Sequence, residues 1–188
     1  FLDEGAILQG EDVSGRTAGG VHTEENIQAK VILRPQTTEE LSKILSACHE
    51  SNQLIVVHGG LTGLVYGTRS TQDQLAISLE RMNQIEDVDL IGRTITCQSG
   101  TTLQTIQELA EENNMMFPLD LGARGSCSIG GNIATNAGGN RVIRYGMMRD
   151  SVLGLEAVLA DGTVLTSMNT MIKNNAGYDL KQLFIGTE

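Results

Sequence analysis

The stretch Gly122-Ala123-Arg124-Gly125-Ser126-Cys127-Ser128-Ile129-Gly130-Gly131-Asn132-Ile133-Ala134-Thr135-Asn136-Ala137-Gly138-Gly139 decides how this chain is read. It carries almost no side-chain bulk. Two Gly-Gly pairs bracket a run of Ile, Ala, Thr and Asn, so the backbone can turn where a Cβ would forbid it and lie against a flat ligand. Exposed amides along it would make an anion cradle. A tight packing point between two sheets is the competing reading, and the stretch by itself does not choose between them.

Upstream, Leu54-Ile55-Val56-Val57 is a short apolar run, expected to be a buried strand of a sheet covered by helices. It passes directly into His58-Gly59-Gly60-Leu61-Thr62-Gly63 and then Gly67-Thr68, which puts a second glycine-rich loop at the carboxyl end of a strand, where α/β units hold ligands. A plain β-turn is the alternative. Around these loops the spacing predicts a strand over 28–33 stopped at Arg34-Pro35, and a helix to about Asn52 opened by a Thr37/Glu40 capping box with Leu41, Ile44, Leu45 and Cys48 on one face. Further strands are expected at 75–78, 85–88 and 94–98, then a second helix opened by Thr101 with Gln104 and striped by Leu103, Ile106, Leu109 and Ala110. Asp161-Gly162 marks a hairpin, and 177–185 reads as a helical turn followed by a strand entry. Residues 1–25 show no period and are expected to be a loosely structured lead-in, with Arg16 solvated.

The chain has 188 residues, 40% of them hydrophobic, enough for one ordinary domain or two small subdomains. A net charge of −10 argues against a nucleic-acid partner, so any anionic ligand must be held locally by amides or a few arginines. Cys48, Cys97 and Cys127 are odd in number and lack a CxxC pair, which predicts reduced thiols in a reducing compartment. With no membrane-spanning run and no signal-peptide pattern, the expected location is cytoplasmic. The start at Phe1 and the stop at Glu188 read as a piece of something longer. No G-x-G-x-x-G follows a strand and no Walker A lysine is present. His22, His49 and His58 share no ligand spacing, so no metal site is expected; of the three, His58 has the best claim to a ligand, a backbone bond being its equal alternative.

Taken in order, Gly59-Gly60-Leu61-Thr62-Gly63, Pro118-Leu119-Asp120-Leu121-Gly122 with Gly125-Ser126-Cys127, Ile129-Gly130-Gly131-Asn132 and Asn136-Ala137-Gly138-Gly139 resemble the FAD-binding domain of the vanillyl-alcohol-oxidase type flavoproteins. Arg144-Tyr145-Gly146, Val152-Leu153-Gly154-Leu155-Glu156, Asp161-Gly162 and the run from Gly177 to Gly186 are similar to the D-2-hydroxyglutarate, D-lactate and glycolate dehydrogenase branch. The resemblance covers about Val31 to Glu188.

It implies an α+β fold of two FAD-binding subdomains, residues 1–90 with a small parallel sheet and helices, and residues 91–188 with an antiparallel sheet and helices, FAD lying extended between them. Gly59, Gly60, Leu61, Thr62, Gly63, Gly67 and Thr68 would contact the pyrophosphate. Gly122, Ser126, Cys127, Ser128, Gly131, Thr135, Asn136, Ala137 and Gly138 would line the flavin and its ribityl and phosphate path. Relatives usually carry Asn where this chain has Leu61, and the histidine that some use for covalent attachment has no counterpart, since Leu61 stands at the matching place; the cofactor is therefore expected to be noncovalent FAD. The implied enzyme oxidises a small-molecule 2-hydroxyacid and passes electrons to a quinone or an electron-transfer flavoprotein, with a homodimer as a candidate assembly. Catalytic residues and metal ligands are expected beyond Glu188, leaving this piece inactive alone. Asp120, Tyr145 and Asp179 are read as fixing loops or hairpins. A non-redox nucleotide- or phosphate-binding module, or another flavoenzyme of the same superfamily, stays open as an alternative.

Overall fold

The computed structural model describes residues 2–20 and 25–188 and divides into two compact units, 1–83 with 158–164, and 84–157 with 165–188. His22 lies outside the described residues.

The first unit is built on four strands, β1 (Ile7–Gln9), β2 (Val31–Leu33), β3 (Ile55–His58) and β4 (Leu75–Ser78), in the spatial order β1-β2-β4-β3. β2, β4 and β3 run parallel, with Val56 beside Ala76 and His58 beside Ser78. β4 is the central strand and is fully enclosed, Ala76 and Ile77 having no exposed surface. β3 departs from the sequence expectation of a covered strand. It stands at the sheet edge with Val57 half exposed, because a four-residue apolar run reads the same at an edge as at a centre.

Helix α2 (Thr38–Glu50) buries Ile44, Leu45 and Cys48 against Ile77 of the sheet. Its cap is the expected one, the Thr37 hydroxyl accepting from the Glu40 amide at 3.2 Å, although the Glu40 carboxylate accepts from the Gln36 amide rather than from that of Thr37.

The lead-in is a structured part of this unit, contrary to expectation. A 3₁₀ turn (Glu4–Ala6), β1, helix α1 (Glu11–Ser14) and a bridge between Thr17 and Asn26 follow in order, with β1 antiparallel to β2. Ala6, Val13 and Ala18 are buried, the latter two in a cluster with Ile27, Ala29, Ile32 and Ala76; spaced this far apart they leave no period in the sequence. Arg16 is not merely solvated, since its guanidinium donates twice to Glu80, at 2.8 and 3.1 Å, and Arg34 donates to the same carboxylate at 2.8 Å. Burial works to raise the Glu80 carboxyl, but the two guanidinium groups outweigh it and hold it below the usual range. Arg81 pairs with Asp3 at 2.7 Å, which ties the first residues down.

The second unit carries the antiparallel hairpin β5 (Ile85–Asp89) and β6 (Thr94–Cys97), then helix α3 (Leu103–Glu112). The cap of α3 is Thr102, whose hydroxyl accepts from the Thr105 amide at 3.2 Å; Thr101, the expected cap, is buried one position earlier. Helices α4 (Ile129–Ala134) and α5 (Val142–Tyr145), a 3₁₀ turn (Met148–Ser151), and most of the paired strands β7 (Leu155–Val158) and β8 (Val164–Ser167) complete it, Val158 and Val164 being counted with the first unit. Its core joins Leu103 and Ile106 of α3 to Leu119, Cys127, Ile129, Met148, Val152 and Ile185. The expected strand at the end of the chain is absent: Leu180–Leu183 is a 3₁₀ turn, and Ile185 enters the core from a loop whose Gly186 amide donates to the Ile133 carbonyl at 3.1 Å. The fold is α+β, a small and mainly parallel sheet with helices followed by antiparallel pairs with helices. Among the described residues no helix is long and apolar enough to cross a membrane.

Candidate functional site

In the first unit the candidate residues form the loop that leaves β3. The amides of Gly59 to Gly63 donate to no group among the described residues. A row of unspent N–H groups at the carboxyl end of a parallel strand is what an anionic group needs. A Cβ built at Gly63 or Gly67 would meet nothing within 4 Å, and neither residue has a positive φ. Among the described residues no neighbour therefore requires glycine at these two positions, and the space beside them is open.

The loop is shaped from below. Leu61 adopts a left-handed conformation, φ 55°, which costs a branched residue about 1 kcal/mol or more, and its side chain packs on the Val13, Ala18 and Ile27 cluster in return. Tyr66 is also left-handed, φ 65°, with the Arg69 guanidinium 4.0 Å from its ring centre; Arg69 pairs with Glu25 at 2.9 Å. His58, fully buried, has Nε2 at 2.9 Å from the Thr68 carbonyl. A carbonyl only accepts, so Nε2 bears the proton and Nδ1 is a buried lone pair without a partner. Burial lowers the His58 pKa, a tendency opposed by the Thr68 bond and by Glu80 and reinforced by Arg16. Of the two roles open to His58 in the sequence, its Nε2 takes the backbone bond.

In the second unit the opening segment is sorted by the structure into two kinds of position. The amides at the start of α4 are already used: Ile129 donates to the Thr101 carbonyl at 2.8 Å, Gly130 to the Ser99 carbonyl at 2.7 Å, and Gly131 to the Ser128 hydroxyl at 3.3 Å. These three amides offer no anion cradle, contrary to the expectation for an exposed loop, because the glycine pair is helical. Gly130 is small for packing, since a Cβ there would lie 2.7 Å from the Ser99 Cβ. Gly139 is the extreme case, its Cβ falling 2.0 Å from the Asp120 carbonyl oxygen.

Cys127 and Ser128 are buried, the thiol in the core beside the Asn132 amide at 3.7 Å and the hydroxyl spent on the helix cap. Burial pushes the Cys127 thiol up, and that of Cys97 to about 11, so neither is a nucleophile near neutral pH. Thr135 donates its hydroxyl to the Gly131 carbonyl at 2.9 Å, and the left-handed Asn136 accepts from the Arg149 amide at 2.9 Å. Ala137 lies against the core and Gly138 against the Met147 sulfur. Gly122, Ser126 and Thr135 are the exposed candidates, and of these Gly122 and Ser126 lie in the open loop before α4, where a Cβ at Gly122 meets no described atom within 4 Å. Asp120 faces Arg124 of its own loop and Arg141 from beyond α4, each at 3.7 Å, while Asp179 binds Lys181 within its own turn at 2.6 Å. Among the described residues no group of three or more His, Cys, Asp or Glu could hold a metal ion. Reading the sequence included Gly139 in its glycine motif without giving it a role of its own and missed Gly19; their contacts join segments distant along the chain and leave no local pattern.

Residues 29–167 match the family model described as "FAD binding domain". The chain is 51% identical over 160 residues to the mitochondrial D-2-hydroxyglutarate dehydrogenase of Bos taurus, covering 85% of this chain and 29% of that protein. It is 52% identical over 158 residues to the protein of the same name from Danio rerio, covering 84% of this chain and 30% of that one. It thus spans about three tenths of the length of the curated relatives it matches. A solved alkyldihydroxyacetonephosphate synthase superposes with a TM-score of 0.84 at 20% identity, over the whole of this chain and 38% of that one, a likeness of fold. The cytoplasmic expectation is overturned, as both relatives are named as mitochondrial proteins. Free thiols and an acidic surface suit any reducing compartment and could not have distinguished the two.

Proposed function

We propose, from the premise that the chain belongs to the FAD binding domain family, that it is the cofactor-holding part of an oxidoreductase converting a D-2-hydroxyacid to the 2-oxoacid. The observation that carries this reading is the row of amides from Gly59 to Gly63 that donate to no group among the described residues, with no described atom within 4 Å of a Cβ at Gly63 or Gly67. Those amides would hold the FAD phosphates without a side-chain cation, in a protein of net charge −10. In the second unit Gly122 and Ser126 would meet the cofactor directly, and Cys127, Ser128, Gly131, Thr135, Asn136, Ala137 and Gly138 would shape the backbone that does so. FAD, when bound, supplies the redox chemistry by taking up a hydride from the substrate α-carbon. The residues of this chain bind and orient.

The attachment is noncovalent: Leu61 offers no nucleophile, and His58 is buried with Nε2 on the Thr68 carbonyl. The names of the relatives support a hydroxyacid of the 2-hydroxyglutarate type as substrate. A quinone or an electron-transfer flavoprotein would take the electrons. The test uses the complete polypeptide that carries this domain. It should purify with a flavin absorption band released by denaturant as free FAD, and D-2-hydroxyglutarate, D-lactate or glycolate should bleach that band without oxygen. A protein that stays colourless in excess FAD overturns the cofactor, and a bound flavin that none of the three reduces overturns the substrate class.

A further inference from the structure

The region upstream of the family match contributes to the phosphate loop. We propose that the segment Arg16–Gly20 is a wall against which the loop 59–68 is set, holding it in its binding shape before any cofactor arrives. The inference rests on the reading that this loop holds the FAD phosphates.

Gly19 makes the contact. Its amide donates to the Thr68 hydroxyl at 3.1 Å. A Cβ on Gly19 would lie 2.4 Å from the Leu61 carbonyl oxygen and 3.1 Å from that of Gly63, so main chain rests on main chain and no flexible side chain could yield. Thr68 is gripped from its other end by His58, whose Nε2–H donates to the Thr68 carbonyl at 2.9 Å. One residue of the loop is thus fixed between the end of β3 and the lead-in.

The wall is itself anchored. Arg16 holds Glu80 through both guanidinium nitrogens, the Ile27 amide donates to the Arg16 carbonyl at 2.9 Å, and the Ala18 amide donates to the Glu25 carbonyl at 2.8 Å. Ala18 and Ile27 are buried in the cluster that also receives Leu61. Among the described residues, none of the bonds that set the loop uses the Gly59–Gly63 amides. A loop ordered in advance does not spend binding energy on its own ordering, so loss of this wall should appear in cofactor affinity.

The experiment measures FAD dissociation constants of the stripped complete polypeptide by quenching of flavin fluorescence, with the circular dichroism of each apoprotein alongside. Thr68→Val and Gly19→Ala should each weaken FAD at least tenfold with unchanged circular dichroism, while Thr68→Ser, which keeps the hydroxyl, should bind like the unsubstituted protein. Gly19→Ala separates a wall from a direct Thr68–cofactor contact, because Thr68 is intact in it; should that variant not fold, Leu61→Ala, which removes the side chain seated on the Ala18 cluster, takes its place with the same expected loss. Unaltered affinity in Gly19→Ala, or in Leu61→Ala where it stands in, overturns the inference, as does unaltered affinity in Thr68→Val. Absence of FAD binding by the unsubstituted protein overturns the reading of the loop as well.

Discussion

Glycine does three different jobs in this chain, and single substitutions separate them. Gly63 faces open space, so Gly63→Ala should leave urea unfolding within about 0.5 kcal/mol of the parent while weakening FAD binding at least tenfold. Gly139 meets the Asp120 carbonyl, so Gly139→Ala should lose on the order of 2 kcal/mol of stability in the same measurement. Gly162, at φ 87°, is required by its backbone angle. The sequence showed where glycines cluster and that the clusters matter. It could not show which job each performs, because open space, a facing carbonyl and a left-handed turn are all written with the same letter. Leu61 makes the same point from the other side: as a departure from the usual Asn it looked like a lost contact, and it is a core contact held in a strained backbone.

At the scale of elements, the starts of the two expected helices, α2 and α3, were legible to within one residue, while α1, α4 and α5 were not foreseen. Thr37 caps α2 as its spacing with Glu40 indicates, but for α3 the pattern picks Thr101, three residues before Gln104, whereas Thr102, with Thr105 at that spacing, accepts the bond. Thr102→Ala should therefore cost about 1 kcal/mol in chemical denaturation. Thr101→Val should be close to neutral, since the buried Thr101 hydroxyl has only the Cys97 thiol, a weak partner, beside it and a methyl group replaces it at similar volume. The lead-in was illegible for a different reason. It is held by isolated small residues and by the pairs Arg16–Glu80 and Arg81–Asp3, whose partners lie more than sixty residues along the chain, and no local window contains both halves of such a contact.

For the molecule as a whole, acid should act in two stages. His58 is neutral in the folded state with its pKa lowered, mainly by burial, from the ordinary 6.5. The unfolded chain thus binds a proton that the folded chain refuses, and stability should begin to fall as pH drops below about 6.5. Glu80 is held below the usual carboxylate range by Arg16 and Arg34, and its contribution is present above the unfolded value of 4.5 and lost as pH falls further. Midpoints of urea unfolding from pH 7.5 to 3.5 should show both, and His58→Gln should remove the first stage only. The α+β architecture and the cofactor class were legible because they are carried by short glycine motifs in a fixed order; the compartment was not, because it is not a property of a fold.

The pairing of Ser42 with the Gly162 carbonyl at 2.6 Å, and of Val158 with the α2 cluster, places residues 158–164 in the first unit although most of the second unit is encoded before them. On the ribosome, residues 1–83 emerge first but must wait for those seven residues. The half that begins first is completed only after most of the other half has been made.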